Sequence, residues 1–247
     1  MAGHSKWKNI QHRKGKQDAA KGQLFTKLAR EIAVSVRHGG GEAETNFRLK
    51  IAIEKARLAN MPTDNIQRTI DKALGNIEGV SYEEITYEGY TPGGAAVMIE
   101  LMTDNRNRTA GEVRHIFTKR GGSLGVSNCV AWMFDRKGVL EIDESSVLCG
   151  EDALMLLLLE AGAEDVTFDS GTYEVITSAD AFQTVKETLE QQAMSLIEAN
   201  ITFVPQTTTE LRGDDARMAL SLIQALEEND DVQNVYTNAD FGDALDD

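Results

Sequence analysis

Apolar residues in the first third of the chain recur at helical spacing. Between residues 18 and 38 they form one stripe, made by Leu24, Leu28, Ile32 and Val36. This period predicts an amphipathic helix that Gly39-Gly40-Gly41 ends. A second helix is predicted over residues 45–60, ended by Pro62, and a third over residues 63–74, capped by Thr63 or Asp64. The pattern therefore predicts a three-helix unit.

After residue 81 the pattern changes to the alternation typical of strands. Ile85 and Tyr87 indicate one strand, and Val97, Ile99 and Leu101 indicate the next, with a turn at residues 91–94. Thr109 and Glu112 match a capping box that would begin a helix ending at Gly121-Gly122. The region is predicted to be a β-β-α unit.

A similar order recurs further along the chain. Strands are predicted at residues 130–134 and 139–142, a helix at 151–161, a hairpin turning at 169–171, a helix at 179–193 and a strand at 201–204. A helix carrying Met218, Leu222 and Leu226 and a strand at 232–236 complete the chain. The predicted fold class is α+β, an N-terminal three-helix domain followed by two small α+β (ferredoxin-like) sandwich domains.

The first β-β-α unit needs further strands, which the C-terminal helix and strand would supply. We therefore predict three domains: residues 1–78, residues 79–129 plus 205–247, and an inserted domain at residues 130–204.

Composition places the chain among ordinary globular proteins, with 41% hydrophobic and 26% charged residues. Cys129 and Cys149 lie outside any CxxC or Cys/His cluster, so no disulfide framework, metal site or cofactor is predicted. The longest apolar run, residues 153–159, is far shorter than the roughly 18 residues of a membrane span. We expect a cytoplasmic protein without membrane contact.

Charge is distributed unevenly along the chain. The net charge is −15, yet residues 1–75 hold 15 Lys and Arg against 7 Asp and Glu, whereas residues 76–247 hold 10 against 33. Such asymmetry indicates that the basic part contacts nucleic acid or a membrane surface.

Residues 1–16 are interpreted as an exposed basic arm, and the helices behind it mainly as a scaffold. The candidate nucleic-acid-binding residues in and beside the arm are Lys6, Trp7, Lys8, His12, Arg13, Lys14, Lys16 and Lys21. Lysine and arginine would bind phosphate through counterion release, and Trp7 would stack on a base or sugar. The alternative is that Trp7 packs on the helices and the lysines are only solvated.

A second basic patch holds half of the ten cationic residues after Gly75. Its candidate nucleic-acid-binding residues are Arg106, Arg108, Arg114, Lys119 and Arg120. The run Arg106-Asn107-Arg108 would lie just before a helix whose N-terminal N–H groups favour an anion. The alternative is a set of surface salt bridges to neighbouring acids.

Several motifs resemble the YebC/PmpR family. They are Gly3 to Trp7 (GHSKW), His12-Arg13-Lys14, Phe25-Thr26-Lys27, Gly39-Gly40-Gly41, Tyr87-Glu88-Gly89-Tyr90, the run from Asp104 to Thr109, Glu112-Val113-Arg114, Gly121-Gly122 with Leu124-Gly125, and residues 160–165. The resemblance implies three domains, the last inserted into the middle one. It also implies nucleic-acid binding, because members are described as DNA-binding transcriptional regulators, while a mitochondrial relative activates translation and bacterial members are linked to ribosomes stalled on proline-rich sequences.

Three functions remain open. The first is a DNA-binding transcriptional regulator, whose third helix offers Arg68 and Lys72 as cations with Asn65 and Gln67 as base readers. The second is a ribosome-associated translation factor that binds ribosomal RNA by shape and phosphate. The third is a metal-dependent enzyme using acids among Glu160, Glu164, Asp165, Glu227, Glu228, Asp230 and Asp231. The spacing singles out no pair of these acids, which favours a solvated face over a metal site, and they could also bind a basic protein.

Neutralising the arm tests both nucleic-acid hypotheses. Replacing Lys6, Lys8, Arg13 and Lys14 with Gln is expected to lower affinity and to flatten the plot of log affinity against log salt by roughly 0.7–0.9 for each lost phosphate contact. Titration of a labelled oligonucleotide at several salt concentrations measures this slope. A slope equal to that of the unaltered protein would show that the arm is not the contact surface.

Overall fold

A computed structural model describes residues 19–75 and 81–242 of the chain. The described residues form two compact units. One is the contiguous stretch from Trp132 to Thr208, and the other joins residues 19–131 to residues 209–242. The division into three domains is finer than these two units and stays a prediction.

The first unit in chain order begins with three helices, α1 (Ala19–Gly39), α2 (Phe47–Leu58) and α3 (Thr63–Ala73). Their core is formed by Leu28, Ile32, Val36, Leu49, Ala52, Ile53, Ala56, Ile66 and Ile70. The apolar stripe of α1 therefore begins one turn later than predicted, since Leu24 is 45% exposed. The residue before α3 is Pro62, which makes no side-chain cap, so the predicted cap at Thr63 or Asp64 is wrong.

Asn46 fixes the turn between the first two helices. Its side-chain oxygen accepts from the Leu49 N–H at 3.1 Å, which caps α2. Its amide nitrogen donates to the carbonyl oxygens of Ser35 and Gly40, each at 2.8 Å. One buried amide thus satisfies the end of α1 and the start of α2.

A sheet follows, begun by β1 (Glu83–Tyr90) and β2 (Ala96–Thr103), which pair antiparallel with Glu83 opposite Thr103. Next come α4 (Arg106–Lys119) and the short strand β3 (Ser123–Leu124), which pairs with β1. The predicted β-β-α order is present in the structure.

The contiguous unit has the β-α-β-β-α-β order of a ferredoxin-like sandwich. Its elements are β4 (Phe134–Asp143), α5 (Glu151–Ala161), β5 (Ala163–Asp169), β6 (Thr172–Ser178), α6 (Phe182–Gln191) and β7 (Leu196–Pro205). All neighbours pair antiparallel in the order β5-β6-β4-β7. The core between sheet and helices includes Leu140, Leu154, Leu158, Val175, Val185 and Leu189.

One strand, β4, takes the place of the two strands predicted at residues 130–134 and 139–142. Residues 131–133 form a turn of 3₁₀ helix, and β4 runs unbroken through Gly138. A Cβ at Gly138 would collide with the Thr177 hydroxyl and the Phe182 ring, so this glycine allows close packing of α6 rather than a turn.

After the insert the chain returns to the first sheet. The elements are β8 (Thr209–Glu210), α7 (Gly213–Glu227), β9 (Val232–Thr237) and β10 (Ala239–Asp240). Strand β9 pairs antiparallel with β2, giving the order β3-β1-β2-β9, while β8 and β10 pair parallel. Helices α4 and α7 cover this sheet, with Val113, Phe117, Leu222 and Leu226 packed on Val97, Ile99, Leu101 and Val232. The predicted α+β class is confirmed.

The Tyr87-Glu88-Gly89-Tyr90 run shapes the loop that leaves this sheet. The buried carboxylate of Glu88 accepts from the N–H groups of Asn128, Val130 and Ala131 at 2.7–2.8 Å. The Tyr90 hydroxyl donates to the Cys129 carbonyl oxygen at 3.2 Å. This motif therefore positions the chain where it enters the insert.

Removal of the Glu88 carboxylate is expected to destabilise the protein. Glu88→Ala leaves three backbone N–H groups without acceptors, at about 1–3 kcal/mol for each group that stays buried. Urea unfolding followed by circular dichroism measures the loss, with the exposed Glu83→Ala on the same strand as control. Equal unfolding midpoints for the two variants would contradict the assigned role.

Candidate nucleic-acid interface

Helix α4 begins earlier than its sequence pattern suggested. Asn105 is its N-cap, with the side-chain oxygen accepting from the Arg108 N–H at 3.1 Å. The predicted cap at Thr109 is wrong, because Thr109 is a fully buried residue inside the helix. Arg106, Asn107 and Arg108 thus form the first turn of α4 rather than a segment before it.

The carboxylate of Asp231 is buried, with 3% of the residue exposed, and accepts hydrogen bonds from four side chains. Arg30 Nη1 donates at 2.8 Å and Arg108 Nη2 at 2.7 Å, while the hydroxyls of Thr109 and Thr103 donate at 2.5 and 3.1 Å. We name these five residues the Asp231 cluster. It joins α1, the end of β2, α4 and the residue just before β9.

The donors outweigh the cost of burying this charge. Burial alone would raise the pKa of the Asp231 carboxyl, but the Thr109 and Arg108 hydrogen bonds, with the charges of Arg30 and Arg108, hold that pKa below its ordinary value. Asp231 is therefore ionised in the folded protein at neutral pH.

Arg108 differs from the other cations predicted for the second patch. Besides its bond to Asp231, its guanidinium forms a salt bridge with Asp104 at 2.9 Å. Arg108 therefore forms salt bridges with neighbouring acids, as the alternative interpretation of the patch expected. Its contact with nucleic acid stays a prediction.

The other four cations of the patch lie exposed. The side chains of Arg106, Arg114 and Lys119 form no hydrogen bond or salt bridge with any residue of the described ranges. Arg120 donates through Nη1 to the Ser221 hydroxyl at 2.6 Å and is also exposed. Free guanidinium and ammonium groups are the ones that phosphate can bind without breaking an ion pair.

Polar side chains on α1 contact the C-terminal end of α7. Gln23 donates to the Glu228 carbonyl oxygen at 2.5 Å, Lys27 donates to that of Glu227 at 2.7 Å, and Arg30 donates to that of Asp230. Carbonyls at a helix C-terminus carry partial negative charge and need donors. Burial lowers the pKa of Lys27 more than the attraction of Glu227 and Asp230 raises it.

Sequence reasoning missed this contact. It counted Lys27 and Arg30 in the surplus of the basic region, although their groups bind the α7 end and Asp231. The signal available was the spacing of Gln23, Lys27 and Arg30, which places three donors along one helical face.

The predicted arm contacts lie mostly outside the described residues. Lys6, Trp7, Lys8, His12, Arg13, Lys14 and Lys16 precede residue 19. Lys21 lies in the first turn of α1, is exposed, and has its ammonium 5.9 Å from the centre of the Phe25 ring.

The acidic residues offer no metal site within residues 19–75 and 81–242, because no group of three or more His, Cys, Asp or Glu there is arranged to hold an ion. In the same ranges no helix is long and apolar enough to cross a membrane. The ferredoxin-like unit holds 15 Asp and Glu against 3 Lys and Arg between residues 132 and 208, so its binding of a basic protein stays a prediction.

Comparison with known proteins gives matches over both parts of the chain. Residues 5–76 match the family model described as TACO1/YebC protein N-terminal domain, and residues 82–239 match TACO1/YebC second and third domain. A relative from Pelotomaculum thermopropionicum is 54% identical over 243 residues, covering 98% of this chain and all of the relative. One from Desulfitobacterium hafniense is 53% identical over 247 residues, covering all of this chain and 98% of the relative.

The fold has a solved counterpart as well. The crystal structure of a conserved hypothetical protein from Aquifex aeolicus superimposes with a TM-score of 0.83 at 45% identity, covering 92% of this chain and 93% of that one. Both curated relatives are named probable transcriptional regulatory protein, which defines the class as regulators of the YebC type. The chain belongs to the TACO1/YebC family.

Replacement of Asp231 is expected to cost stability in a pH-dependent way. Asp231→Asn removes a buried ion-pair partner. We expect the free energy of unfolding to fall by about 3 kcal/mol at pH 7. This value lies near the lower end for such pairs because the Arg108 side chain is 43% exposed. The pKa of Asp231 is depressed in the folded protein. Its contribution to stability is therefore present above the ordinary pKa of 3.8 and is lost as pH falls through the pKa of the folded state.

Urea unfolding between pH 7 and pH 3 measures both effects. The variant should be less stable at pH 7 and should lose less stability on acidification. The exposed neighbour Asp230→Asn serves as control. Parallel stability curves for Asp231→Asn and the unaltered protein would contradict the assigned charge.

Proposed function

We propose that this protein is a non-enzymatic, nucleic-acid-binding regulator of gene expression. The observation that carries the proposal is a set of cations left exposed and unpaired within the described residues of the first unit. They are Lys21, Lys50, Arg57, Arg68, Lys72, Arg106, Arg114 and Lys119. Their number is notable because acids outnumber cations by 15 over the chain.

Unpaired cations favour phosphate as a ligand. A cation already held by an acid must give up that pair to bind, whereas a free one loses only solvent and counterions. Three acids of this unit pair with other cations: Glu84 with Arg48, Glu31 with Lys55, and Asp231 with its cluster.

The first candidate partner is duplex DNA, in agreement with the name that the relatives carry. As a DNA-binding protein, the chain would place α3 in the major groove of the duplex. The first turn of this helix carries Asp64 and no cation, and the Gln67 amide donates to Asp71 at 3.1 Å. Base reading would therefore rest on Asn65 and Arg68, which predicts modest sequence specificity. Footprinting across a promoter panel tests this candidate, and uniform weak protection would reject a specific operator.

The second candidate partner is structured ribosomal RNA. The shortage of base-reading groups on α3 favours it, because recognition by shape and phosphate needs no base code. The free cations also lie on separate elements, α1 to α3 and α4, which suits a large folded partner. Sedimentation of a lysate through sucrose at low salt tests this candidate, and absence from every ribosomal fraction would reject it.

The α4 cations provide the test of the shared proposal. The triple variant Arg106→Gln, Arg114→Gln and Lys119→Gln is expected to weaken binding and to reduce the salt slope by about 0.7–0.9 per lost contact. Its matched control replaces Arg212, Arg217 and Lys186 with Gln, because these cations pair with Glu210, Asp214 and Glu190.

The readout is gel-shift titration of a labelled duplex and a labelled ribosomal RNA fragment. Both triple variants lose three positive charges, so a general charge effect would lower the two slopes equally. That result would reject α4 as a contact surface.

A further inference from the structure

A cleft of about 430 Å³ lies between α1 and α3, with Tyr82 beside it. Its lining includes small and apolar side chains together with Phe25, Arg30, Asn65, Arg68 and Lys72. This volume lies within the range of about 300–1,000 Å³ that small-molecule sites occupy. The cleft is therefore large enough for one ligand group with ring dimensions.

The charged residues that line the cleft within residues 19–75 and 81–242 are all cations. They are Arg30, Arg68 and Lys72, and no Asp or Glu of those ranges lines it. The side chains of Arg68 and Lys72 form no salt bridge or hydrogen bond with any residue in the described ranges. A cationic cleft on a chain with net charge −15 favours an anionic ligand.

Two aromatic rings give the cleft a second property. Phe25 and Tyr82 are both partly exposed in its lining, and the Arg30 guanidinium lies 5.4 Å from the centre of the Tyr82 ring. Asp231 holds this guanidinium at 2.8 Å, so its position is fixed before any ligand binds. Its Nε is buried and has no hydrogen-bond acceptor among the described residues. Aromatic and guanidinium surfaces are the groups on which unpaired bases stack.

One helical face supplies the remaining polar groups. Asn65, Arg68 and Lys72 follow one another at intervals of three and four residues along α3. The Asn65 side chain is exposed and makes no hydrogen bond in the described part of the chain. Its amide offers both a donor and an acceptor, which is what a base edge requires.

We propose that this cleft binds one unpaired nucleotide of a single-stranded nucleic acid segment. The base stacks on Phe25 and Tyr82, its edge contacts Asn65, and the adjoining phosphates contact Arg68 and Lys72. The inference rests on the proposed nucleic-acid binding and deepens it, because a paired base inside a duplex cannot reach the rings. It also gives a binding role to helices that the sequence pattern assigned mainly to scaffolding.

Fluorescence of 2-aminopurine tests the proposal, since stacking on an aromatic ring quenches it. The probes are a 12-nucleotide single-stranded RNA with one central 2-aminopurine, its DNA equivalent, the same RNA annealed to its complement, and 2-aminopurine riboside 5′-monophosphate. The unaltered protein should quench a single-stranded probe and leave the duplex signal unchanged. The free nucleotide should bind at least tenfold more weakly, because it lacks the flanking phosphates.

Variants assign the signal to the cleft. Phe25→Leu with Tyr82→Leu should abolish quenching and weaken single-strand binding about tenfold. Arg68→Gln with Lys72→Gln should reduce the salt slope by about 1.4, at roughly 0.7 per contact for single strands. The control Arg212→Gln with Arg217→Gln removes two exposed cations that pair with Glu210 and Asp214, and it should change neither quenching nor the preference for single strands. Thermal unfolding confirms that each variant is folded, and the exposed Arg68 and Lys72 keep the test valid if the aromatic variant unfolds.

The outcomes separate this inference from the proposed function. Binding of every polymer probe without quenching, or with quenching that the cleft variants leave intact, overturns the cleft and leaves the proposed function standing. Failure to bind any polymer overturns both. Equal affinity for the free nucleotide and the single strand overturns the assignment to a nucleic acid segment.

Discussion

The buried carboxylate of Asp231 is the constraint on which the arrangement of the first unit depends. An ionised group with 3% exposure persists only where donors replace its lost water, and here two guanidinium groups and two hydroxyls do so. Those donors come from α1, β2 and α4, so their backbones are fixed relative to the residue preceding β9. On the same face of α1, Gln23 and Lys27 donate hydrogen bonds to carbonyl oxygens at the C-terminal end of α7, which adds contacts between these two helices.

The contacts of the Asp231 cluster and of the α7 end divide the cations of the unit into two groups. Lys27, Arg30 and Arg108 satisfy carbonyl and carboxylate groups and contribute to stability, whereas Arg68, Lys72, Arg106 and Arg114 remain available. A regional excess of positive charge overstates the surface open to a ligand, because some of that charge neutralises buried acids. The same anchoring holds Arg30 at the wall of the cleft between α1 and α3.

Periodicity predicted the helices and most strands because the repeat of apolar positions reports directly which face is buried. It failed at Gly138, where glycine allows close packing of Phe182 and does not make a turn. It also chose Thr109 over Asn105 as a helix cap, since both residue types cap helices and only tertiary burial distinguishes them. The sequence could not show that Arg108 forms ion pairs while Arg106 stays unpaired within the described residues, because Asp231, a partner of Arg108, lies 123 residues away.

The return of the chain to its first sheet has a consequence for synthesis. Strand β2 acquires its neighbour β9 only after the whole ferredoxin-like insert has been made, since Leu101 pairs with Val232. Until then one edge of β2 lacks its partner, and Arg30 and Arg108 lack the carboxylate that joins them. The described residues of the insert, by contrast, lie in one contiguous stretch of chain, Trp132 to Thr208. During synthesis all strands and helices of the insert are therefore present before β9 is made, whereas the sheet of the first unit and the Asp231 cluster can be completed only afterwards.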